Sequence, residues 1–156
     1  MIAMGANSLL TGMRVLDLSR ALSGPFCALI LADLGADVIK VEALPSGDMM
    51  RTWGPFQGSE SAYYLSGNRN KRGIAVNFRS AAGRALLRKM AIESDVIVEN
   101  FKPGTLSKIG LDPNDLRKAN PRLIVASISG FGSDGPLSNR PGFDQIAQGH
   151  SGLMSI

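Results

Sequence analysis

Hydrophobic positions along this chain fall into short runs separated by polar, glycine and proline punctuation. Five runs are rich in Val and Ile: RVLDLS from Arg14, DVIKVE from Asp37, GIAVN from Gly73, DVIVEN from Asp95 and RLIVASIS from Arg122. Such runs, bounded by turn formers, read as strands. They are nearly continuous in apolarity rather than alternating, which is the pattern of strands covered on both faces in a parallel sheet.

Helical patterns lie between several of these strands. Pro25–Leu34 has Pro25 at the first helical position and Gly35 as its stop. It is apolar almost all round, so it is expected to be deeply buried. Ser80 can cap a helix running to about Glu93, with Ala82, Leu86 and Met90 as an inward stripe and Arg84 and Arg88 outside. Asp112-Pro113-Asn114-Asp115 combines a cap, a proline at the first position and an acid at the third, and that helix must end before Pro121. Alternation of strand and helix predicts an α/β fold with a Rossmann-like, doubly wound, mostly parallel sheet.

Thirty residues, Ala43 to Arg72, separate the second and third strands. Connections beyond roughly 12–15 residues are uncommon in compact domains unless they are functional. This one carries Asp48, Arg51, Trp53, Tyr63-Tyr64 and the run Asn68-Arg69-Asn70-Lys71-Arg72, with a possible short helix over Ser61–Gly67. The last strand leads into GFGSDGPLSNRPGFD, a final helix is predicted from near Phe143, and the sequence stops at Ile156 in apolar surroundings. The expectation is therefore a fold that is incomplete at Ile156.

The 156 residues carry a formal charge of +4, with no run of Lys or Arg longer than two. That density is too low for a nucleic-acid surface but suits a small polyanion such as a phosphorylated carrier. A single cysteine, Cys27, excludes an internal disulfide, and no Cys/His cluster has metal-ligand spacing. A reducing cytoplasm is the expected compartment. The start, MIAMGANSLLTGMR, lacks the order of a secretory signal, and Pro25–Leu34 is too short to span a bilayer, so no membrane partner is expected.

Gly130-Phe131-Gly132-Ser133-Asp134-Gly135 matches G-x-G-x-x-G after a strand. A dinucleotide fingerprint also needs a helix opening at the third glycine, and Pro136 follows instead. This argues against a nicotinamide oxidoreductase. His150, the only histidine, is either a base or an exposed helical residue, and Cys27 within an apolar helix reads as structural. Asp17 and Asp37 read as structural; Asp95 and Glu99, four apart on a strand, lie too far apart for a carboxylate dyad. The stronger signal is positional. Ligands of open parallel sheets lie outside the strand carboxyl ends. Those ends gather Asn, Arg, Lys and Gly with Phe between them, either a rim for phosphates and a purine or a solvated edge.

The segments RVLDLSRALSGPF, LADLGADVIKVE, GDMMR, NRNKR, DVIVENFKPG and RPGFDQIAQ occur here in order. Together they resemble the family III CoA-transferases, the group of formyl-CoA transferase and carnitine CoA-transferase that also includes α-methylacyl-CoA racemases. The resemblance runs from about Gly12 to the end. It implies a large Rossmann-like domain built from both ends of a longer chain, a smaller middle domain, and an interlocked homodimer. It implies coenzyme A as a substrate, with an acyl-CoA and a carboxylic acid as reaction partners and no separate cofactor. By position, Leu22, Ser23, Val76, Asn77, Phe78 and Arg79 would border the nucleotide, and Asn100, Phe101 and Lys102 would line the carrier. Lys108 would meet a phosphate, and Arg140 and Phe143 would complete the substrate-binding set. Formyl-CoA transferase has an arginine directly after the second strand's glutamate, where this chain has Ala43. The resemblance also implies a nucleophilic aspartate, in a Gly-Asp segment beyond Ile156, that would carry an aspartyl intermediate. By this resemblance residues 1–156 are the N-terminal part of the CoA-binding large domain, with no second domain and no catalytic residue among them, inactive and poorly behaved when isolated, and Asp144 matches a different position. A non-catalytic CoA or nucleotide binder is the competing reading. A racemase of the same family would have a histidine where Phe143 stands.

Overall fold

The structure is a computed structural model and describes residues 8–156. The five predicted strands form one parallel sheet. They are β1 (Arg14–Asp17), β2 (Asp37–Ala43), β5 (Arg72–Val76), β6 (Val96–Glu99) and β7 (Ile124–Ser127), in the order β5-β2-β1-β6-β7. β1 lies at the centre, paired with β2 on one side and β6 on the other.

Successive residues of a strand face opposite sides, and here each side has its own core. Val15, Val38, Val96 and Val98 pack with Ala28 and Ala32 of helix α1 (Ser23–Asp33). Leu16, Val41 and Ile97 point the other way. They pack with Leu87 and Ala91 of α3 (Ala81–Ile92), Leu106 of the short α4 (Thr105–Lys108) and Leu116 of α5 (Pro113–Ala119). Helices on both faces make the sheet doubly wound.

The predicted starts of α3 and α5 hold at the atomic level, whereas α1 begins at Ser23, two residues before the predicted Pro25. Ser80 Oγ accepts the Gly83 amide at 3.0 Å, and Asp112 Oδ1 accepts those of Asn114 (2.9 Å) and Asp115 (3.4 Å). α5 closes at Asn120, before Pro121.

Two burial expectations are corrected. Helix α1 is not buried all round: Leu22, Phe26, Ile30 and Leu34 are 38–54% exposed. The residues packed on the sheet are mostly small ones, Gly24, Ala28 and Ala32, and the four-residue spacing of the larger chains turns them outward. In α3 the buried stripe is Gly83, Leu87 and Ala91, one position on from the predicted Ala82, Leu86 and Met90. The cause lies at the start of the helix: a Cβ on Gly83 would stand 2.0 Å from the Asn77 carbonyl oxygen, so only glycine can face inward there.

The long connection after β2 is structured. A 3-10 turn (Met49–Thr52) leads to a hairpin of β3 (Phe56–Gln57) and β4 (Glu60–Ser61), then to α2 (Ala62–Asn68), capped by Ser61. After β7 the chain loops out to α6 (Asp144–His150). The ends of that loop touch through glycine, since a Cβ on Gly130 would fall 2.3 Å from the Gly142 Cα. Gly132 and Gly135 take positive φ values of 83° and 89°. The G-x-G-x-x-G run therefore serves turns and a close backbone approach, and no helix opens on it.

Candidate functional site

Beyond the carboxyl ends of β1, β2, β5 and β6 lies a cleft of about 210 Å³. Its walls are mostly apolar and include Leu18, Ala43, Phe78, Phe101 and Ile109. The Arg20 guanidinium lies 5.5 Å from the centre of the Phe101 ring, within cation–π range. Phe78, Phe101 and Ile109 are followed or preceded in the chain by Arg79, Lys102 and Lys108, three exposed cations. The arrangement is an apolar slot fringed by positive charge, able to take a flat or chain-like group attached to phosphates.

The floor of the cleft is ionic and dry. Asp17 and Asp48 are fully buried, and the side chains of Lys40 and Lys71 are 1% exposed. Lys40 Nζ donates to Asp48 (2.8 Å) and to the Ser19 carbonyl (2.5 Å). Lys71 Nζ donates to Asp17 (2.9 Å), the Pro25 carbonyl (2.8 Å) and Asn68 Oδ1 (3.0 Å). Burial pulls the Lys71 pKa below its ordinary value, and the Asp17 carboxylate acts against that. Every described buried side-chain polar atom has a partner. Asp17 at the end of β1 and Asp48 within the excursion thus neutralise two lysines and fasten both ends of the 43–72 excursion to the sheet.

A second knot holds the excursion's middle. Glu42 accepts from Arg51 Nε (2.8 Å) and Nη2 (2.7 Å), from the Tyr64 hydroxyl (2.7 Å) and from the Asp48 amide (2.8 Å). Arg51 also stacks 3.8 Å over the Tyr64 ring. Burial would raise the Glu42 pKa, but these bonds outweigh it and bring it down to about 2. Tyr64 is raised above its ordinary value, first by burial and then by its bond to Glu42.

Comparison with known proteins completes the picture. The profile of CoA-transferase family III matches residues 10–156. The chain belongs to this family. It is 51% identical to the human succinyl-CoA:glutarate CoA-transferase over 148 residues, covering 94% of this chain and 34% of that protein. It is 46% identical to the acetyl-CoA:oxalate CoA-transferase of Acetobacter aceti, covering 92% and 37%. Among solved structures, a CAIB/BAIF family protein from Brucella suis superposes with a TM-score of 0.89 at 48% identity, covering 96% of this chain and 41% of that one. The Rv3272 protein of Mycobacterium tuberculosis gives 0.86 at 38%, covering 94% and 40%. The chain spans about a third of the length of the curated relatives it matches.

Against the positions implied by the family, the structure divides the residues into groups. Phe78 and Phe101 line the cleft; Arg79, Lys102 and Lys108 are exposed and do not line it, though each is next in sequence to a residue that does. Val76 is 4% exposed in the core, so only its backbone reaches the rim, where its carbonyl accepts from Leu44. Asn77 Oδ1 accepts the Arg79 amide at 2.9 Å and shapes the turn. Leu22 and Ser23 are exposed at the start of α1. The Asn100 side chain holds the Arg20 backbone on both sides, accepting its amide at 2.8 Å and donating to its carbonyl at 2.7 Å. Arg140 and Phe143 sit exposed in the segment after β7 and do not line this cleft.

The other acid and base candidates have local duties. Asp144 accepts from Gln148, and His150 stands edge-on to Phe131 at 5.4 Å. Asp95 accepts the Arg14 amide, Glu99 that of Phe101, and Asp37 pairs with Arg72. Cys27 is half-buried against the α1 core. Among the described residues there is no cluster fit for a metal, and no helix is long and apolar enough to cross a membrane.

Proposed function

We propose that these residues form the N-terminal part of the CoA-binding large domain of a CoA-transferase, which moves CoA from an acyl-CoA thioester to a carboxylic acid. The observation that carries this reading is the mostly apolar cleft at the strand carboxyl ends, three of whose wall residues, Phe78, Phe101 and Ile109, adjoin the exposed cations Arg79, Lys102 and Lys108 in sequence. CoA combines an aromatic base, an apolar chain and several phosphates, and each has a counterpart there. Family membership and the names of the relatives support the same chemistry.

The covalent step is assigned to an aspartate beyond Ile156. Its carboxylate attacks the thioester carbonyl, and CoA leaves as thiolate, giving a mixed anhydride. The thiolate then attacks the aspartyl carbonyl, releasing the first acid and leaving CoA on the enzyme as a thioester. The acceptor carboxylate repeats the exchange in reverse. Splitting one acyl transfer in this way lowers each barrier. The residues described here bind and orient the carrier while that occurs, in a protein we propose to be an interlocked homodimer. Ala43 lines the cleft where formyl-CoA transferase has arginine, so one cationic contact to the carrier is replaced by open apolar wall.

In the full-length protein, Arg79→Ala is expected to weaken CoA binding by about 1.5–3 kcal/mol, the range for a hydrogen bond to a charged group. Lys108→Ala should weaken it in the same direction. Calorimetry that finds CoA affinity unchanged in both variants would remove the assignment.

A racemase reading makes a different demand. Inverting a carbon next to a thioester needs a proton carrier on each face. Phe143 cannot carry a proton, and His150 lies about two helical turns further on. CoA transfer is therefore expected without uptake of solvent deuterium at the α carbon. Uptake at the rate of turnover, read by mass spectrometry, would favour the racemase.

A further inference from the structure

The turn between β1 and α1 contains the strained point of the cleft. Ala21 has φ +59°, in the left-handed region that side chains other than glycine adopt at a cost. Asp48, in the excursion after β2, and Asn100, just after β6, hold it there. Asp48 Oδ1 accepts the Ala21 amide at 3.1 Å, and the Asn100 carboxamide accepts and donates across the backbone of Arg20. The next turn of chain is locked as well, since a Cβ on Gly24 would lie 2.2 Å from that of Ser19. Asp48 is itself fixed by Lys40, with both side chains buried.

We propose that Asn100 and Asp48 are positioning residues, which keep Ala21 left-handed and so set the Arg20 wall of the cleft and the adjoining start of α1. Asn100 then acts on the ligand through the turn. Both ends of its carboxamide are occupied by the Arg20 peptide groups, which leaves it poorly placed as a direct contact. The inference rests on the reading of the cleft as a CoA site and adds how one wall of that site is held.

The test is a pair of coupled substitutions in the full-length protein. Asn100→Ala removes three neutral hydrogen bonds, two to the Arg20 backbone and a long one to the Ser23 hydroxyl, and leaves no buried charge, so folding should survive. It is expected to weaken CoA binding about tenfold. Ala21→Gly makes the left-handed conformation accessible without the clamp. If Asn100 acts through the turn, Asn100→Ala should cost clearly less in affinity when Ala21→Gly is also present. Equal losses in both backgrounds would mean that Asn100 touches CoA directly, and the proposal falls. Hydrogen exchange in ligand-free protein provides a readout independent of CoA. The Ala21 amide should exchange faster in Asn100→Ala and in Asp48→Asn, and unchanged exchange in Asn100→Ala overturns the clamp even if Asp48→Asn does not fold. If the unsubstituted protein binds no CoA, the function reading fails by itself, and the exchange result still decides the clamp.

Discussion

Replacing Asp17 by alanine is expected to destabilise the protein by about 3–5 kcal/mol, the range for breaking a buried ion pair from one side. The carboxylate is fully buried, 2.9 Å from Lys71 Nζ and 4.0 Å from Lys40 Nζ. Its other oxygen accepts from the Ser19 amide at 3.0 Å and from the Ser19 hydroxyl. Without it, two ammonium groups 1% exposed are left with one carboxylate, Asp48. The loss should therefore exceed the value of any single hydrogen bond. Asp17→Asn keeps an acceptor and removes only the charge, so it should fall between. Arg72→Ala is the control: it breaks the pair with Asp37, whose side chains are 66% and 44% exposed, and such pairs contribute about 0–1 kcal/mol. Denaturant unfolding of the three full-length variants orders them. Losses of similar size for Asp17→Ala and Arg72→Ala would mean that the buried lysines recover solvent or other partners.

Regular structure was readable because its causes are local. Five strands follow from β-branched runs, and the starts of α3 and α5 from Ser80 and Asp112 as caps. Covering on both faces followed from strands without alternation. What failed was rotation about helix axes. The outward line Leu22, Phe26, Ile30, Leu34 and the displaced stripe of α3 depend on which small residue meets the backbone below it. That contact is tertiary, and periodicity alone is blind to a shift of one position.

At the cleft the legible part was its place. Ligands of parallel sheets usually lie at the strand carboxyl ends, and the structure has a cleft there with Phe78 and Phe101 in its wall. The ionic floor was not legible. Lys40 sits within DVIKVE and reads as a solvated strand residue, yet its side chain is 1% exposed. Its partners, Asp17 and Asp48, are 23 positions before it and eight after it in the sequence, and only the sheet order brings them together. One signal was available: a connection of thirty residues must be anchored, and its first portion carries Asp48 while its last carries the cations Arg69, Lys71 and Arg72, although nothing in the order singles out Lys71. The resemblance named Asn100 as a carrier contact, and only coordinates reveal that its amide is already engaged with Arg20.

Acid should loosen the same excursion through its other knot. The Glu42 carboxyl stands at about 2 in the folded protein against an ordinary 4.5. A carboxylate whose pKa is depressed on folding stabilises the fold fully above its unfolded value, and the contribution disappears as pH falls through the folded one. The window is therefore pH 4.5 down to 2. At about 1.4 kcal/mol per unit the displacement is worth up to about 3 kcal/mol. Glu42 is 8% exposed, so solvent screens the interaction little. Glu42→Gln should lower the thermal midpoint at pH 7, and the gap to the unsubstituted protein should close as pH approaches 2. Arg51→Ala should give a related but smaller gap, because Tyr64 and the Asp48 amide still donate to the carboxylate. Since Asp48 and Glu42 meet through that amide, partial protonation of Glu42 should also release the turn at Ala21, and CoA affinity should decline over the same interval. Thermal midpoints and CoA titrations of both variants between pH 7 and 2.5 test the linkage. A gap that stays constant across the window would show that the Glu42 carboxyl has the same pKa folded and unfolded, and its bond to Arg51 would then add no pH-dependent stability.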